Sequence, residues 1–296
     1  MPFFLLAALA GFGYSFQSTM LAHFGRRIDP FLVTVCRNLS FIITLSPLLL
    51  LAPAASIMQA LSLWPFLLLA GLLGTLGFFC TLMAQRFFPV GIVTSAGQML
   101  QIWLLLWAML LFGESVSIAS WAAIILIIAG VVFMMLQKNH MPHLDSRVLV
   151  GLVFALLYPL ALSLSIMSML YVAKHSHPLA AAYFWEVAIG LFALLIFLGR
   201  KHWCHTRFLP THRIAVSWRE ALLIALITST TLLGSGLGPM LMTAANPGVV
   251  EAVMMPMGVI TSVLLAWAVF RERLLLAQWL AIGVVVGGVM LLKLTL

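Results

Sequence analysis

Apolar residues run along this chain in long blocks, separated by short gaps rich in proline, glycine and basic residues. Blocks of about 17 to 25 residues, at 1.5 Å of helical rise each, match the hydrocarbon thickness of a bilayer. No period-two alternation runs through them, and in hydrocarbon only helices and closed barrels satisfy every backbone amide. The pattern therefore predicts ten transmembrane helices, at 3–23, 31–52, 62–84, 90–112, 119–137, 147–171, 178–198, 219–243, 248–270 and 274–294. The predicted fold class is all-α and polytopic. The first block is apolar from Phe3 onward, lacks a basic leader and continues through Gly11-Phe12-Gly13-Tyr14, so it reads as a retained span.

Composition narrows the function. With 64% apolar and 7% charged residues and a mean hydropathy of +1.18, the chain has too little polar surface for a water-soluble enzyme. Its net charge of +8 comes from Lys and Arg that sit mostly in loops beside spans. There they orient the protein and meet lipid head groups, so no nucleic-acid partner is expected. Three cysteines, Cys36, Cys80 and Cys204, cannot close a disulfide framework.

The chain also repeats itself. Shifted by 158 positions, Pro89 falls on Pro247, Phe112 on Phe270, Glu114 on Glu272, Trp121 on Trp279 and Gly130 on Gly288, and 13 of 43 positions match without a gap. Upstream the register changes, with Pro30 opposite Pro178. Two five-helix units follow, 1–140 and 141–296. Because five is odd, the second enters the membrane from the opposite side; such inverted repeats are the architecture of alternating-access transporters.

Each unit closes on one phrase, Phe112-Gly113-Glu114 with Trp121 and Gly130, and Phe270-Arg271-Glu272 with Trp279 and Gly288. In this the chain resembles the drug/metabolite transporter superfamily, EamA type, over almost its whole length. Arg37 matches an arginine that such proteins often carry in the second helix, and Pro256 their mid-helix proline in the ninth. The resemblance implies movement of a small solute without a cofactor, through a cavity walled mainly by spans 3, 4, 8 and 9. It is weak for substrate, since such proteins move amino acids, nucleotide derivatives, vitamins and drugs. The first unit has Gln98 where the second has Pro256, which removes a kink, adds an amide and makes the two walls unequal.

Orientation divides the two lines of reasoning. Loops after the odd-numbered spans hold 12 cations, from Arg26 to Arg273, against Lys174 and Lys293 on the other side. The positive-inside rule then places both termini outside, whereas the resemblance implies cytoplasmic termini.

A charge at the bilayer centre costs about 2.5 kcal/mol or more unless it faces a cavity or a partner. Three such groups lie within spans: Arg37, Glu186 and Glu251. The Pro30/Pro178 register sets Asn38 opposite Glu186 and Arg37 opposite Trp185, so Arg37 and Glu186 lie at comparable depths and are candidates for gating or coupling. Arg37 reads equally as a structural arginine bonded to carbonyls. Glu251 follows Asn246-Pro247-Gly248, where a helix dipole stabilises a carboxylate without functional need; it also stands near the mouth of the expected cavity. Gln98 and Gln101 share a helix face and offer amides to a solute or to neighbouring helices. Trp185 beside Glu186 makes an aromatic and acidic patch suited to cationic or zwitterionic solutes. The candidate substrate residues are thus Gln98, Gln101, Trp185, Glu251 and Pro256.

Glu114 and Glu272 read as turn carboxylates. Glycines at 71, 74 and 77, at 234 and 238, and at 283 and 287 are spaced for close helix packing, and the run Gly234 to Pro239 is too breakable for a rigid helix. His202-Trp203-Cys204-His205 lacks a second ligand pair, so no metal is expected, and no catalytic nucleophile with its base stands out.

The sequence thus describes a secondary transporter of the cytoplasmic (inner) membrane rather than an enzyme. The expected activity is export of a small amphipathic solute, amino-acid-like or cationic or zwitterionic, with protons as the candidate coupling ion. The pattern leaves monomer and homodimer open. An importer of a nucleotide-like or vitamin solute fits the same pattern; a membrane enzyme or assembly protein fits it less well, because mid-span acids and bases are scarce.

Overall fold

The structure is a computed structural model and describes residues 2–97, 99–112, 117–135, 146–203, 213–244, 247–271 and 275–295. In chain order its helices are α1 (Pro2–Gly25), α2 (Pro30–Leu49), α3 (Ala54–Ser62), α4 (Trp64–Phe87), α5 (Val90–Ala96), α6 (Met99–Phe112) and α7 (Ile118–Met135). There follow α8 (Ser146–His175), α9 (Pro178–Trp203), α10 (Trp218–Ser229), a π-helical turn (Leu232–Gly236), α11 (Leu237–Ala244), α12 (Pro247–Phe270) and α13 (Leu276–Thr295). Among the described residues six helical stretches are long and apolar enough to cross a membrane: Leu5–Gly25, Pro30–Leu49, Trp64–Phe87, Leu149–His175, Pro178–Gly199 and Trp218–Ala244. Met257–Phe270 and Trp279–Gly288 are shorter apolar helices.

Local chemistry sets where these helices begin. Proline opens α2, α9 and α12, where its missing N–H falls in the turn that has no intrahelical acceptor to use. The Asp29 carboxylate caps α2 by accepting from the Phe31 N–H at 2.9 Å. Ser217 and Glu220 close a capping box on α10, and Glu220 also pairs with Arg213.

Two predicted spans are interrupted. The fourth is two helices, α5 and α6, on either side of Gly97; the expected effect of Gln98 in place of a proline falls on a residue outside the described ones. Beside Gly97 the Tyr158 hydroxyl donates to the Val93 carbonyl at 3.0 Å, which also accepts the Gly97 N–H at 3.0 Å, and sits where a side chain on Gly97 would be. The eighth span contains the π turn, a distortion that leaves backbone groups out of the α-helical ladder. The short helix α3 is additional to the prediction.

The bundle packs α1 on α12, α2 on α9, α4 on α8 and α9, α10 on α2, and α7 on α13. Exposed Leu5, Ile43, Leu195, Leu264 and Trp267 form its outer surface, as hydrocarbon surroundings require. At one end the turn after α1 is tied to the end of α4. Arg26 Nε donates to the Gln85 carbonyl at 2.9 Å, and Arg86 donates to the carbonyls of Gly25 (2.7 Å) and Ile28 (2.9 Å). A parallel bridge from Ile28 to Arg213 draws the segment before α10 to the same place.

Glycine brings two backbones together where α4 meets α9: a Cβ on Gly71 would stand 2.8 Å from the Ala188 carbonyl carbon. The expectation for α13 is corrected. Gly283 and Gly287 face open space, and Gly288 instead meets Ile127 of α7, with 2.8 Å between a built Cβ and Cγ1. After α12, Arg271 takes a left-handed backbone, φ 55°, at the position where the first unit has Gly113, which lies outside the described residues.

Because the atoms opposing Gly71 include backbone, Gly71→Val is expected to destabilise the detergent-solubilised protein by about 1–3 kcal/mol, as overpacked cores do. Gly283→Val, into open space, should stay within about 0.5 kcal/mol of the parent in the same denaturation assay.

Candidate solute site

Two charges are buried at the centre of the bundle and meet each other. Arg37, on α2, and Glu186, on α9, are 1% and 0% exposed. Arg37 Nη1 donates to Glu186 Oε2 at 2.6 Å and Nη2 to Oε1 at 2.9 Å, the bidentate fork that guanidinium and carboxylate geometry favours. Asn38 Nδ2 donates both to Oε2 and to the Glu186 backbone carbonyl, each at 2.8 Å, and Ser235 Oγ of the π turn reaches Oε1 at 3.3 Å. The guanidinium lies 4.1 Å from the centre of the Phe78 ring. Removing two ions from water costs several kcal/mol each, and their attraction offsets this only with good geometry and filled lone pairs. Glu186 has both.

Beside this pair lies a cavity of about 150 Å³. Its walls are Gly11, Tyr14, Ser15, Gln17 and Ser18 of α1, Phe78, Thr81 and Gln85 of α4, Val93 and Thr94 of α5, Gly97, and Leu100 of α6. The opposite walls are Tyr158, Leu162, Ile166 and Met169 of α8, Trp185 of α9, Gly234 and Ser235 of the π turn, Gly238, Pro239 and Met242 of α11, and Met254 and Gly258 of α12. The expected walls, spans 3, 4, 8 and 9, are therefore joined by α1, α8 and, through Trp185, α9. Among the described residues the lining carries amides, hydroxyls, aromatic rings and thioethers, and no charged side chain. Arg37 borders a small adjoining pocket of about 20 Å³, which shares Gln17, Ser18, Phe78 and Thr81 with the cavity.

The predicted residues distribute unevenly around this space. Trp185 lines it, with its indole N–H donated to Ser165 Oγ at 2.8 Å, and that hydroxyl in turn bonded to the Ala70 carbonyl at 2.6 Å. Glu186 stands behind the wall, neutralised by Arg37, so among the described residues no free carboxylate adjoins Trp185. Gln98 lies outside the described residues, although its neighbours Gly97 and Leu100 line the cavity. Gln101 stands on α6, and Glu251 and Pro256 on α12; Met254 and Gly258 on either side of Pro256 are lining residues. Glu114, Glu272, Cys204 and His205 also lie outside the described residues.

Sequence reasoning passes over Gln17 and Gln85. The polar run Ser15-Phe16-Gln17-Ser18-Thr19 inside an apolar block is a signal that could have found the first. Gln85, next to Arg86 at a helix end, looks like a loop boundary in sequence and carries no such signal.

Because one unpaired buried charge is costlier than two paired ones, Arg37→Gln alone should lower stability by about 3–5 kcal/mol. The Arg37→Gln, Glu186→Gln double variant should recover part of that loss, and Arg37→Lys should not restore it, lacking the fork. Chemical denaturation in detergent checks all three; additive single effects would contradict the pairing.

Comparison with known proteins agrees with this architecture. A solved crystal structure is similar in fold, with a TM-score of 0.65 and 18% identity over 97% of this chain and 96% of that one. No curated protein matches. Residues 1–136 match the EamA-like transporter family. That match over the first 136 residues supports membership of the drug/metabolite transporter superfamily for this multi-pass membrane protein.

Proposed function

We propose that the protein is a secondary exporter of a small amphipathic solute, working by alternating access across the cytoplasmic membrane and not as an enzyme. In this reading the chain crosses ten times as two inverted units, 1–140 and 141–296, with α5 and α6 as one crossing and α10 to α11 as another. The packing supports it. Exchanging the units turns α4 on α8 into the π turn and α11 on α1, and α4 on α9 into α10 on α2, while α2 on α9 and α7 on α13 map onto themselves.

The observation that carries the proposal is the cavity walled by helices of both units, with the Arg37–Glu186 pair one residue behind it. Ser235 belongs to both: it lines the cavity and bonds Glu186. Rocking one unit against the other separates α2 from α9 or preserves their junction. Separation would strand a carboxylate in a dry interior, where a proton is the available neutralising partner. That chemistry makes protons the proposed coupling ion, with Glu186 and Glu251 as the carboxylates within the spans. Arg37 and Glu186 then act as the gate, while Trp185, Gln98, Gln101 and the helix around Glu251 and Pro256 face the solute. With Glu186 committed to Arg37, the lining favours amphipathic solutes of no net charge, amino-acid-like zwitterions included. The cation-rich loops after the odd spans support the cytoplasmic side for the end where Arg26, Arg86 and Arg213 meet.

The test is flux in proteoliposomes of the solute that best stabilises the protein in a thermal-shift screen of amino acids, nucleosides and vitamins. An imposed pH gradient should drive it, and Glu186→Gln or Glu251→Gln should remove the pH dependence. Undiminished pH-driven flux in both variants contradicts proton coupling through these groups.

A further inference from the structure

The cavity wall holds three buried polar atoms without a hydrogen-bond partner. Both amide atoms of Gln85, Nε2 and Oε1, are unpaired, as is Nε2 of Gln17. Each side chain is 1% exposed, and both line the cavity, Gln85 from α4 and Gln17 from α1. Buried amides normally find partners, because leaving one unpaired forfeits its hydration without return. Helix packing offers other hydroxyls in this bundle a simple solution: Thr75, Thr81 and Ser165 each bond a backbone carbonyl. Gln17 Nε2 and the Gln85 amide take none.

We propose that Gln17 and Gln85 form the recognition edge of the solute site, and that the solute is uncharged, with a carboxamide- or lactam-type edge on a compact apolar body. The proposal rests on the reading of this cavity as the transport site. An amide offers a donor and an acceptor side by side, and its best complement is another such edge. Gln85 supplies both functions and Gln17 a second donor, so an acceptor and a donor on the solute are met at once. The other polar side chains of the described lining are neutral, among them the hydroxyls of Ser15, Ser18 and Thr94. Tyr14, Phe78, Trp185, Met169, Met242 and Met254 provide aromatic and thioether surface for an apolar body, and methionine adapts to its outline. A void of about 150 Å³ has room for one ring of benzene size. Charged analogues meet no counter-charge among the described lining residues, and their desolvation is uncompensated. A site built to pair a buried amide also rejects molecules lacking it, since its own groups are then left unpaired.

Benzamide, benzoate and benzylamine present one ring with a neutral, an anionic and a cationic head, and their binding to the full-length protein in detergent is read by calorimetry and thermal shift. Benzamide is expected to bind, and benzoate and benzylamine to bind at least about tenfold more weakly. Gln85→Leu and Gln17→Leu should each weaken benzamide about tenfold or more while leaving the ligand-free melting temperature at or above that of the parent, because each removes an unpaired group. A lowered ligand-free melting temperature in both variants assigns the amides to structure and overturns the proposal. If benzoate or benzylamine binds best and the variants leave it unchanged, the recognition edge is overturned while the cavity stands as a solute site. If no probe binds and no solute in the wider screen shifts the melting temperature, both fall.

Discussion

A charge in hydrocarbon must be paired or removed, and this protein meets that constraint by joining Arg37 to Glu186. The two residues come from α2 and α9, helices far apart in sequence, and their fork is completed by Asn38, Ser235 and the face of Phe78. The pair is at once a contact between helices from the first and second halves of the chain and a source of neutrality. With its carboxylate saturated, the neighbouring cavity is left to amides, hydroxyls and aromatic rings. The helix that carries Glu186 also carries Trp185, so the position of the indole in the wall is tied to the integrity of the ion pair behind it.

The cavity owes its existence to places where regular helix packing is interrupted. Gly97, between α5 and α6, admits the Tyr158 hydroxyl, and the π turn at Leu232–Gly236 holds Ser235 against Glu186. Elsewhere the packing is tight: Gly71 lets α4 rest on α9, and Gly288 lets α13 rest on α7. Close contact between some helix pairs and interrupted helices beside the cavity are what a bundle needs to hold a polar space inside an apolar shell.

Much of this architecture is legible in the amino-acid sequence alone. The apolar blocks mark the helices, and prolines at 30, 178 and 247 mark their starts with little ambiguity, because a missing N–H has one natural place in a helix. The depths of Arg37 and Glu186 follow from counting residues after Pro30 and Pro178. Other features depend on three-dimensional neighbours that no local pattern encodes. Gly97 leaves room for the hydroxyl of Tyr158, 61 positions later. Gly283 and Gly287 have the spacing of a packing seam yet face outward, because glycine spacing sets which residues share a face and not which face meets a partner. Gln85 sits at a helix end where glutamine is ordinary, and only the enclosed space beside it makes its unpaired amide notable.

The central claim is that one cavity, bounded by both units, serves the two sides of the membrane in turn. It is tested most directly by placing a single cysteine at Thr81, a lining residue, in a protein with Cys36, Cys80 and Cys204 replaced by alanine, and labelling it with a membrane-impermeant thiol reagent. Inside-out and right-side-out vesicles are compared. The account predicts labelling from both sides, with an added transported solute shifting the balance between them. Labelling confined to one side under every condition would contradict it.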